Sequence, residues 1–81
     1  MAKPSPKHAG DPVLISLGQA IQDARSEKGL SQEGLANESG VDRIYLGGIE
    51  RGEHNITVIN LLRILRSLGI SMSELARRAK I

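Results

Sequence analysis

The sequence predicts an all-α fold of five short helices, and three observations support this prediction. From Val13 to near the end of the chain, apolar residues recur at three- and four-residue steps, which places them on one face of a helix. Glycines and capping residues divide this pattern into five segments. No segment alternates between apolar and polar residues as a strand would. With 81 residues, the chain is long enough for one small domain only.

The first two helices are separated by Gly29, the expected left-handed end of the first helix. The first helix is predicted to begin at Val13. Its apolar face is expected to consist of Leu14, Leu17, Ile21 and Ala24. Ser31 can act as the N-cap of a second helix over Gln32–Ser39, which ends at Gly40.

A third helix is predicted from Asp42, its N-cap, to Arg51, with Gly52 as its end. Helical geometry assigns Leu46 and Ile49 to the side that faces the core. A polar loop follows this helix. The opposite, exposed side of the helix is expected to carry Arg43, Ile44 and Gly47.

A fourth helix is predicted to open at Thr57 and to end at Gly69. Ser71 and Glu74 have the S-x-x-E spacing of a capping box, which predicts a fifth helix over about Met72–Arg78. The core-facing stripe of the fourth helix is expected to consist of Val58, Leu61, Leu62, Leu65 and Leu68.

The composition excludes several classes of chemistry. The chain has no Cys, which excludes disulfides, thiolate metal sites and cysteine nucleophiles. His8 and His54 are far apart and lack a neighbouring pair of carboxylates, so we expect no metal and no cofactor. No nucleophile–base pair, phosphate-cradling glycine loop or pair of carboxylates on one face is recognisable. An enzyme is therefore the least expected class of protein.

The first residues differ in composition from the rest of the chain. Residues 1–12 carry three Pro and little apolar surface, so we predict a disordered arm before a domain over residues 13–81. Lys3, Lys7 and His8 could let the arm touch DNA phosphates, although a solvated tail is the simpler interpretation. Neither a signal peptide nor the roughly 20 apolar residues of a membrane span are recognisable, so a cytoplasmic protein without membrane contact is expected. The net charge of +2 permits binding to nucleic acid without requiring it.

The middle of the helical series carries the most specific motif. Two short helices joined by a tight turn meet the requirements of a helix-turn-helix. Its small and apolar positions are Ala36, Gly40, Val41 and Ile49. The segment Gly29–Gly52, GLSQEGLANESGVDRIYLGGIERG, resembles the Cro/C1-type (XRE) helix-turn-helix family of bacterial and phage transcription regulators. The likeness extends over about residues 14–76 and implies a compact λ-repressor-like DNA-binding domain. Within the family, the segment YLGGIERGEHNIT and the short last helix are most similar to the controller proteins of restriction–modification systems.

The resemblance implies a sequence-specific transcriptional regulator that binds a double-stranded DNA operator. Its recognition helix over residues 42–51 would lie in the major groove. Arg43 is implied to read a guanine at the first turn of that helix, and Ile44 to occupy the neighbouring base-facing position. Ile44 would either contact a thymine methyl group or fold back onto the core.

Other family positions are implied to contact the DNA backbone or to support the recognition helix. Gln32 is also implied to brace the first residues of that helix. Tyr45 could instead cover the core, and Thr57 could simply cap a helix. Arg25 and Glu50 are implied to form a structural ion pair, with occasional phosphate contact by Arg25. The candidate backbone contacts are Gln32, Tyr45, His54, Asn55 and Thr57.

Gly48 departs from the family pattern, in which this position often carries a polar, base-reading side chain. Each glycine in a helix interior costs about 1 kcal/mol relative to alanine. Either the helix approaches DNA or a neighbouring helix closely at Gly47 and Gly48, or the helix is loosened and orders on binding. Direct readout would then depend on Arg43, and part of the specificity would come from DNA shape.

A single module of this size makes few DNA contacts, so we expect a twofold homodimer that reads half-sites about 34 Å apart. Ile70 and Leu75 could instead complete the monomer core. Glu33 and Glu38 could contact RNA polymerase or form a solvated acidic face. The predicted C-terminal dimer interface consists of Ile59, Ile64, Ile70, Met72, Leu75 and Ile81.

The alternative function is a protein-interaction module with a helix-turn-helix fold, such as an antitoxin. Such a module has no need of Arg43, Gln32 and Asn55 at the family spacing, which favours DNA binding. An adjacent restriction endonuclease or methyltransferase gene would favour a controller protein, and a toxin gene would favour the alternative.

Overall fold

The structure, a computed structural model, describes residues 7–81 and shows five α-helices there. The described residues contain no strand, so the predicted all-α fold is confirmed. Residues 1–6, which include Lys3 of the predicted arm, lie outside the described residues. The helices are α1 (Pro12–Glu27), α2 (Gln32–Ser39), α3 (Arg43–Glu50), α4 (Val58–Leu68) and α5 (Met72–Ala79).

Regular structure begins slightly earlier than the sequence predicts. Pro12 occupies the start of α1, where its missing N–H has no helical partner to lose. The Asp11 carboxylate caps the helix by accepting a hydrogen bond from the Val13 N–H at 2.9 Å. The Gly10 N–H donates to the Gly52 carbonyl at 2.9 Å and ties this segment to the loop after α3. The predicted arm was therefore too long, because its last residues form this cap and this hydrogen bond.

Side-chain caps define the starts of the other four helices. Each capping oxygen accepts a hydrogen bond from the backbone N–H three residues further on. These N-cap residues are Ser31, Asp42, Thr57 and Ser71. The capping box predicted at Ser71 is only half formed, because the Glu74 carboxylate binds the two arginines of α5.

The core consists of aliphatic side chains from all five helices. On α4 the stripe that faces it differs from the predicted one. Val58 and Leu62, which were assigned to that stripe, are 65% and 37% exposed. Since α4 carries apolar residues on more than one face, periodicity alone could not determine its rotation about the helix axis. The buried residues of α4 are Leu61, Ile64, Leu65 and Leu68.

Two residues predicted for the dimer interface belong to this core instead. The exposed fractions of Ile64 and Leu75 are 0% and 1%, so neither side chain can reach a second protomer. Ile70 is partly buried and packs against the same core. For Ile70 and Leu75 the sequence had left this alternative open, whereas for Ile64 the prediction was wrong because the rotation of α4 was misjudged. Ile59, Met72 and Ile81 are exposed.

Helix α1 is held between α3 and α5. Gly18 lies where α1 meets the end of α3, and a Cβ atom built there would lie only 2.3 Å from the Ile49 carbonyl oxygen. Glycine therefore allows the two backbones to approach each other closely. On the other side, the Arg78 guanidinium donates to both carboxylate oxygens of Glu27 at 2.7 and 2.9 Å. This pairing raises the pKa of Arg78 and lowers the pKa of Glu27.

Candidate nucleic-acid interface

Helices α2 and α3 form a helix-turn-helix. Gly40 ends α2 with a φ of 76°, a left-handed conformation that favours glycine. Val41 is buried in the turn, and Ala36 is buried on α2. Asp42 then starts α3 by accepting a hydrogen bond from the Tyr45 N–H at 3.0 Å. The turn thus places α3 on the surface in a defined orientation.

The first turn of α3 is presented to solvent. Leu46 and Ile49 are buried on the core side, as the sequence predicts. Arg43 is exposed, and no ion pair or hydrogen bond within residues 7–81 engages its side chain. Ile44 is 39% exposed and lies outside the core, so the alternative in which it folds back onto the core is wrong. The cationic side chain of Arg43 and the apolar side chain of Ile44 are therefore both accessible to another molecule.

The end of α3 is anchored by a buried ion pair. The Arg25 guanidinium donates to the two carboxylate oxygens of Glu50 at 2.8 and 3.0 Å. Gln32 Nε2 donates to the same carboxylate at 2.9 Å, and a further Arg25 nitrogen donates to the Leu30 carbonyl at 2.9 Å. The hydrogen bonds to Glu50 raise the pKa of Arg25. Side chains from α1 and α2 thus hold the last turn of α3.

This network changes the interpretation of two predicted DNA contacts. The Arg25 side chain is only 13% exposed, and three of its nitrogens are already donating. Arg25 is therefore a structural residue here, and the predicted phosphate contact is not supported. Gln32 supports the last turn of α3 at Glu50, whereas the prediction had placed it against the first residues of that helix.

His54 occupies a position that the sequence did not anticipate. It is only 8% exposed, and its ring lies 4.7 Å from the Tyr45 ring, centroid to centroid. A Cβ atom built on Gly48 would lie 2.4 Å from His54 Nε2. The imidazole therefore fills the space beside α3 that a side chain at Gly48 would need. The ring, packed beside the helix, offers little exposed surface for the predicted contact of His54 with the DNA backbone, and that contact stays a prediction.

The two central glycines of α3 are also covered. Gly47 was expected on the exposed side but is buried beneath the Gln32 amide and the Arg51 guanidinium. The close approach at Gly48 is made by the His54 ring, rather than by a neighbouring helix as one alternative had proposed. Glycine at position 48 therefore has a packing reason that exists without DNA.

Replacing Gly48 with alanine is expected to lower the free energy of unfolding by about 1–3 kcal/mol, because the added methyl overlaps the His54 ring. In a His54→Ala background the same change should be neutral or stabilising by up to about 1 kcal/mol, since alanine is the better helix former. Chemical denaturation of the wild type, both single variants and the double variant measures this coupling. Equal effects of Gly48→Ala in the two backgrounds would refute the packing role of His54.

The remaining candidate backbone contacts lie on the surface. Asn55 and Thr57 are exposed, and Tyr45 is half-buried against the core. The Thr57 hydroxyl accepts a hydrogen bond from the Asn60 N–H at 3.2 Å, so it caps α4 while its outer side stays open to solvent. Their contact with DNA stays a prediction.

Arg51 is an exposed arginine at the end of α3 that the sequence places toward the DNA-facing surface without a specific contact. Its side chain is 60% exposed and crosses Gly47, and Nε donates to the Glu53 carboxylate at 2.7 Å. This pairing raises the pKa of Arg51 and lowers that of Glu53. Arg51 follows Ile44 by seven residues, which puts both on one helical face.

Other kinds of site find no counterpart in the described part of the chain. Residues 7–81 contain no group of three or more His, Cys, Asp or Glu side chains that could hold a metal ion. None of the helices described here is long and apolar enough to cross a membrane.

Comparisons with known proteins agree with this geometry. A family model described as helix-turn-helix matches residues 21–75. The control protein C.MunI of Mycoplasma sp is 41% identical over 64 residues, which cover 78% of this chain and 86% of that protein. The crystal structure of the restriction-modification controller protein C.AhdI from Aeromonas hydrophila has a TM-score of 0.74 at 47% identity, covering 76% of this chain and 94% of that chain. The crystal structure of the wild-type restriction-modification controller protein C.Esp1396I has a TM-score of 0.77 at 35% identity, and the match covers 84% of this chain and 88% of that chain.

Proposed function

We propose a specific mode of action for this chain, which belongs to the helix-turn-helix family of DNA-binding transcription regulators and resembles restriction-modification controller proteins. It binds a double-stranded operator as a homodimer, with α3 of each protomer in the major groove. Its regulatory target is a restriction–modification operon in a bacterial cytoplasm.

The observation that carries this proposal is the exposed first turn of α3. Arg43 and Ile44 extend from a helix whose other end is fixed by Glu50. A recognition helix reads bases from its N-terminal residues, so its orientation must be set before binding. Arg43, whose side chain no ion pair within residues 7–81 engages, can donate two hydrogen bonds to guanine O6 and N7.

Replacing Arg43 with alanine is expected to weaken binding to the preferred operator by about 5- to 150-fold per half-site, the equivalent of about 1–3 kcal/mol. Preference at one base pair should also relax. Binding-site selection from a random duplex pool, followed by titrations at several salt concentrations, measures both effects. Arg77→Ala is the matched control, because Arg77 is an exposed arginine of α5 and its loss changes the net charge equally.

Two results would contradict the proposal. Absence of any salt-dependent binding to duplex DNA would refute the DNA-binding mode itself, because phosphate contacts must release counterions. Equal losses in Arg43→Ala and Arg77→Ala would show that only net charge matters.

The structure changes the surface that we propose for dimerisation. Val58, Ile59 and Leu62 form an exposed apolar face on α4, with exposed fractions of 65%, 66% and 37%. Leu62 follows Ile59 by three residues and Val58 by four, so the three side chains lie on neighbouring positions of one helix surface. This face replaces Ile64 and Leu75 in the proposed interface. Met72 and Ile81 are further exposed apolar residues of the C-terminal part.

Replacing Ile59 with glutamate is expected to weaken the dimer by at least about tenfold, because a charge would be buried against an apolar partner. Sedimentation velocity over a concentration series measures the change. Val13→Glu is the control, since Val13 is an exposed apolar residue of α1, 49% exposed. A wild-type chain that stays monomeric at high micromolar concentration, with full operator binding, would refute the homodimer.

Contact with RNA polymerase is a further part of the proposal. Glu33 and Glu38 are exposed on α2. They could bind a basic surface of the polymerase while α3 holds the operator. An adjacent restriction endonuclease or methyltransferase gene would support the controller role, and a toxin gene would support an antitoxin instead.

A further inference from the structure

We infer that Ile44 reads the C5-methyl group of a pyrimidine, so that the protein distinguishes thymine from uracil and 5-methylcytosine from cytosine. The inference rests on the proposed docking of α3 in the major groove. It adds a property that the docking alone does not require, which is sensitivity of binding to cytosine C5 methylation.

The surroundings of Ile44 on α3 support this inference. Ile44 lies opposite Leu46 and Ile49, which face the core, and is 39% exposed. Side chains three and four residues further along a helix would cover it. Those positions are Gly47 and Gly48, which have no side chains. No side chain at these two positions covers Ile44, and 39% of its surface stays exposed.

The chemistry of Ile44 restricts what it can recognise. Its side chain has no donor or acceptor, so it cannot read the polar edges of bases. The apolar group that a standard base pair presents in the major groove is the C5-methyl of thymine. Methylation of cytosine at C5 puts the same group at the same ring position. An exposed isoleucine next to Arg43 therefore fits a methylated pyrimidine beside the guanine that Arg43 would read.

Duplexes that differ by single methyl groups test this inference. The probe is the duplex obtained from the random pool, with each thymine replaced in turn by deoxyuridine. We expect one thymine per half-site at which this loss weakens binding about four- to fifteenfold, the range for burial of one or two carbon groups. At that position, a 5-methylcytosine·guanine pair should bind more tightly than a cytosine·guanine pair by a similar factor.

Variants of Ile44 assign the effect to this side chain. Ile44→Ser should abolish both methyl effects, whereas Ile44→Val should keep them, and melting temperatures establish that both variants fold. The inference would be overturned if Ile44→Ser still distinguished thymine from uracil or 5-methylcytosine from cytosine. It would also be overturned if no thymine of the bound duplex could be found whose replacement by deoxyuridine weakens binding. In these cases DNA binding itself persists, so the proposed function stands. A thymine effect without a 5-methylcytosine effect would also overturn the methylation sensitivity.

Discussion

Replacement of Glu50 by alanine is expected to lower the free energy of unfolding by about 3–5 kcal/mol. The Glu50 side chain is only 2% exposed and accepts hydrogen bonds from Arg25 and Gln32. Its removal leaves the Arg25 side chain, which is 13% exposed in the wild type, without its counter-ion. A small domain is stable by about 5–15 kcal/mol in total. The variant is therefore expected to be close to unfolding at moderate temperature, as chemical denaturation would show.

A second arginine–glutamate pair provides the control for this prediction. Arg51 and Glu53 have comparable geometry, with Nε to Oε2 at 2.7 Å, but their side chains are 60% and 32% exposed. Glu53→Ala is therefore expected to leave the stability almost unchanged. Both variants remove one carboxylate from a bidentate pair, so the difference between them measures the effect of burial together with the additional Gln32 hydrogen bond to Glu50.

The double replacement Arg25→Met/Glu50→Met distinguishes the loss of the ion pair itself from the cost of leaving one buried charge without a partner. Removing both charges should recover most of the stability lost in either single variant, because the main penalty is one uncompensated buried charge. A double variant as unstable as the sum of the single variants would refute this explanation.

We also expect Glu50→Ala to keep the base preference of the wild type below its melting temperature, since Glu50 is not at the DNA-facing turn. A changed preference with an unchanged melting temperature would reverse the assignment.

The features predicted correctly from the sequence are those set by local chemistry. Ser31, Asp42 and Thr57 cap helices because a short oxygen-bearing side chain before a helix can reach a backbone N–H three residues later. Gly40 and Gly69 end helices because each adopts a positive φ. These interactions involve neighbours in the chain, so the order of residues is sufficient to predict them.

The features that were missed depend on contacts between distant segments. Apolar residues on several faces of α4 left its rotation undetermined, which misplaced Val58 and Ile64. The burial of His54 depends on the empty space at Gly48, which a motif aligned along the sequence does not reveal. At the candidate site, Arg43 and Ile44 were predicted to face outward and do so, whereas the role of Gln32 at Glu50 appears only in three dimensions.

Replacement of Gly18 by alanine is expected to lower the free energy of unfolding by about 3 kcal/mol or more, at the upper end of the range for overpacking. The added Cβ atom would lie 2.3 Å from the Ile49 carbonyl oxygen and 2.6 Å from that of Glu50. Both atoms belong to the backbone, so no change of rotamer can relieve the overlap. Relief requires α1 to move away from α3, which would also disturb the ion pair between Arg25 and Glu50. Thermal and chemical denaturation measure the loss.

Gly47→Ala is the matched control, because it is the same substitution inside another helix. Its nearest neighbour would be Arg51 Nη1 at 3.2 Å, the far end of a flexible side chain that can move aside. The better helix propensity of alanine then makes Gly47→Ala neutral or stabilising by up to about 1 kcal/mol. If Gly18→Ala were as stable as Gly47→Ala, the close contact between α1 and α3 would not exist in solution. The contact between α1 and α3 brings Arg25 within hydrogen-bond distance of Glu50. Without it, the position of the recognition helix would need another explanation.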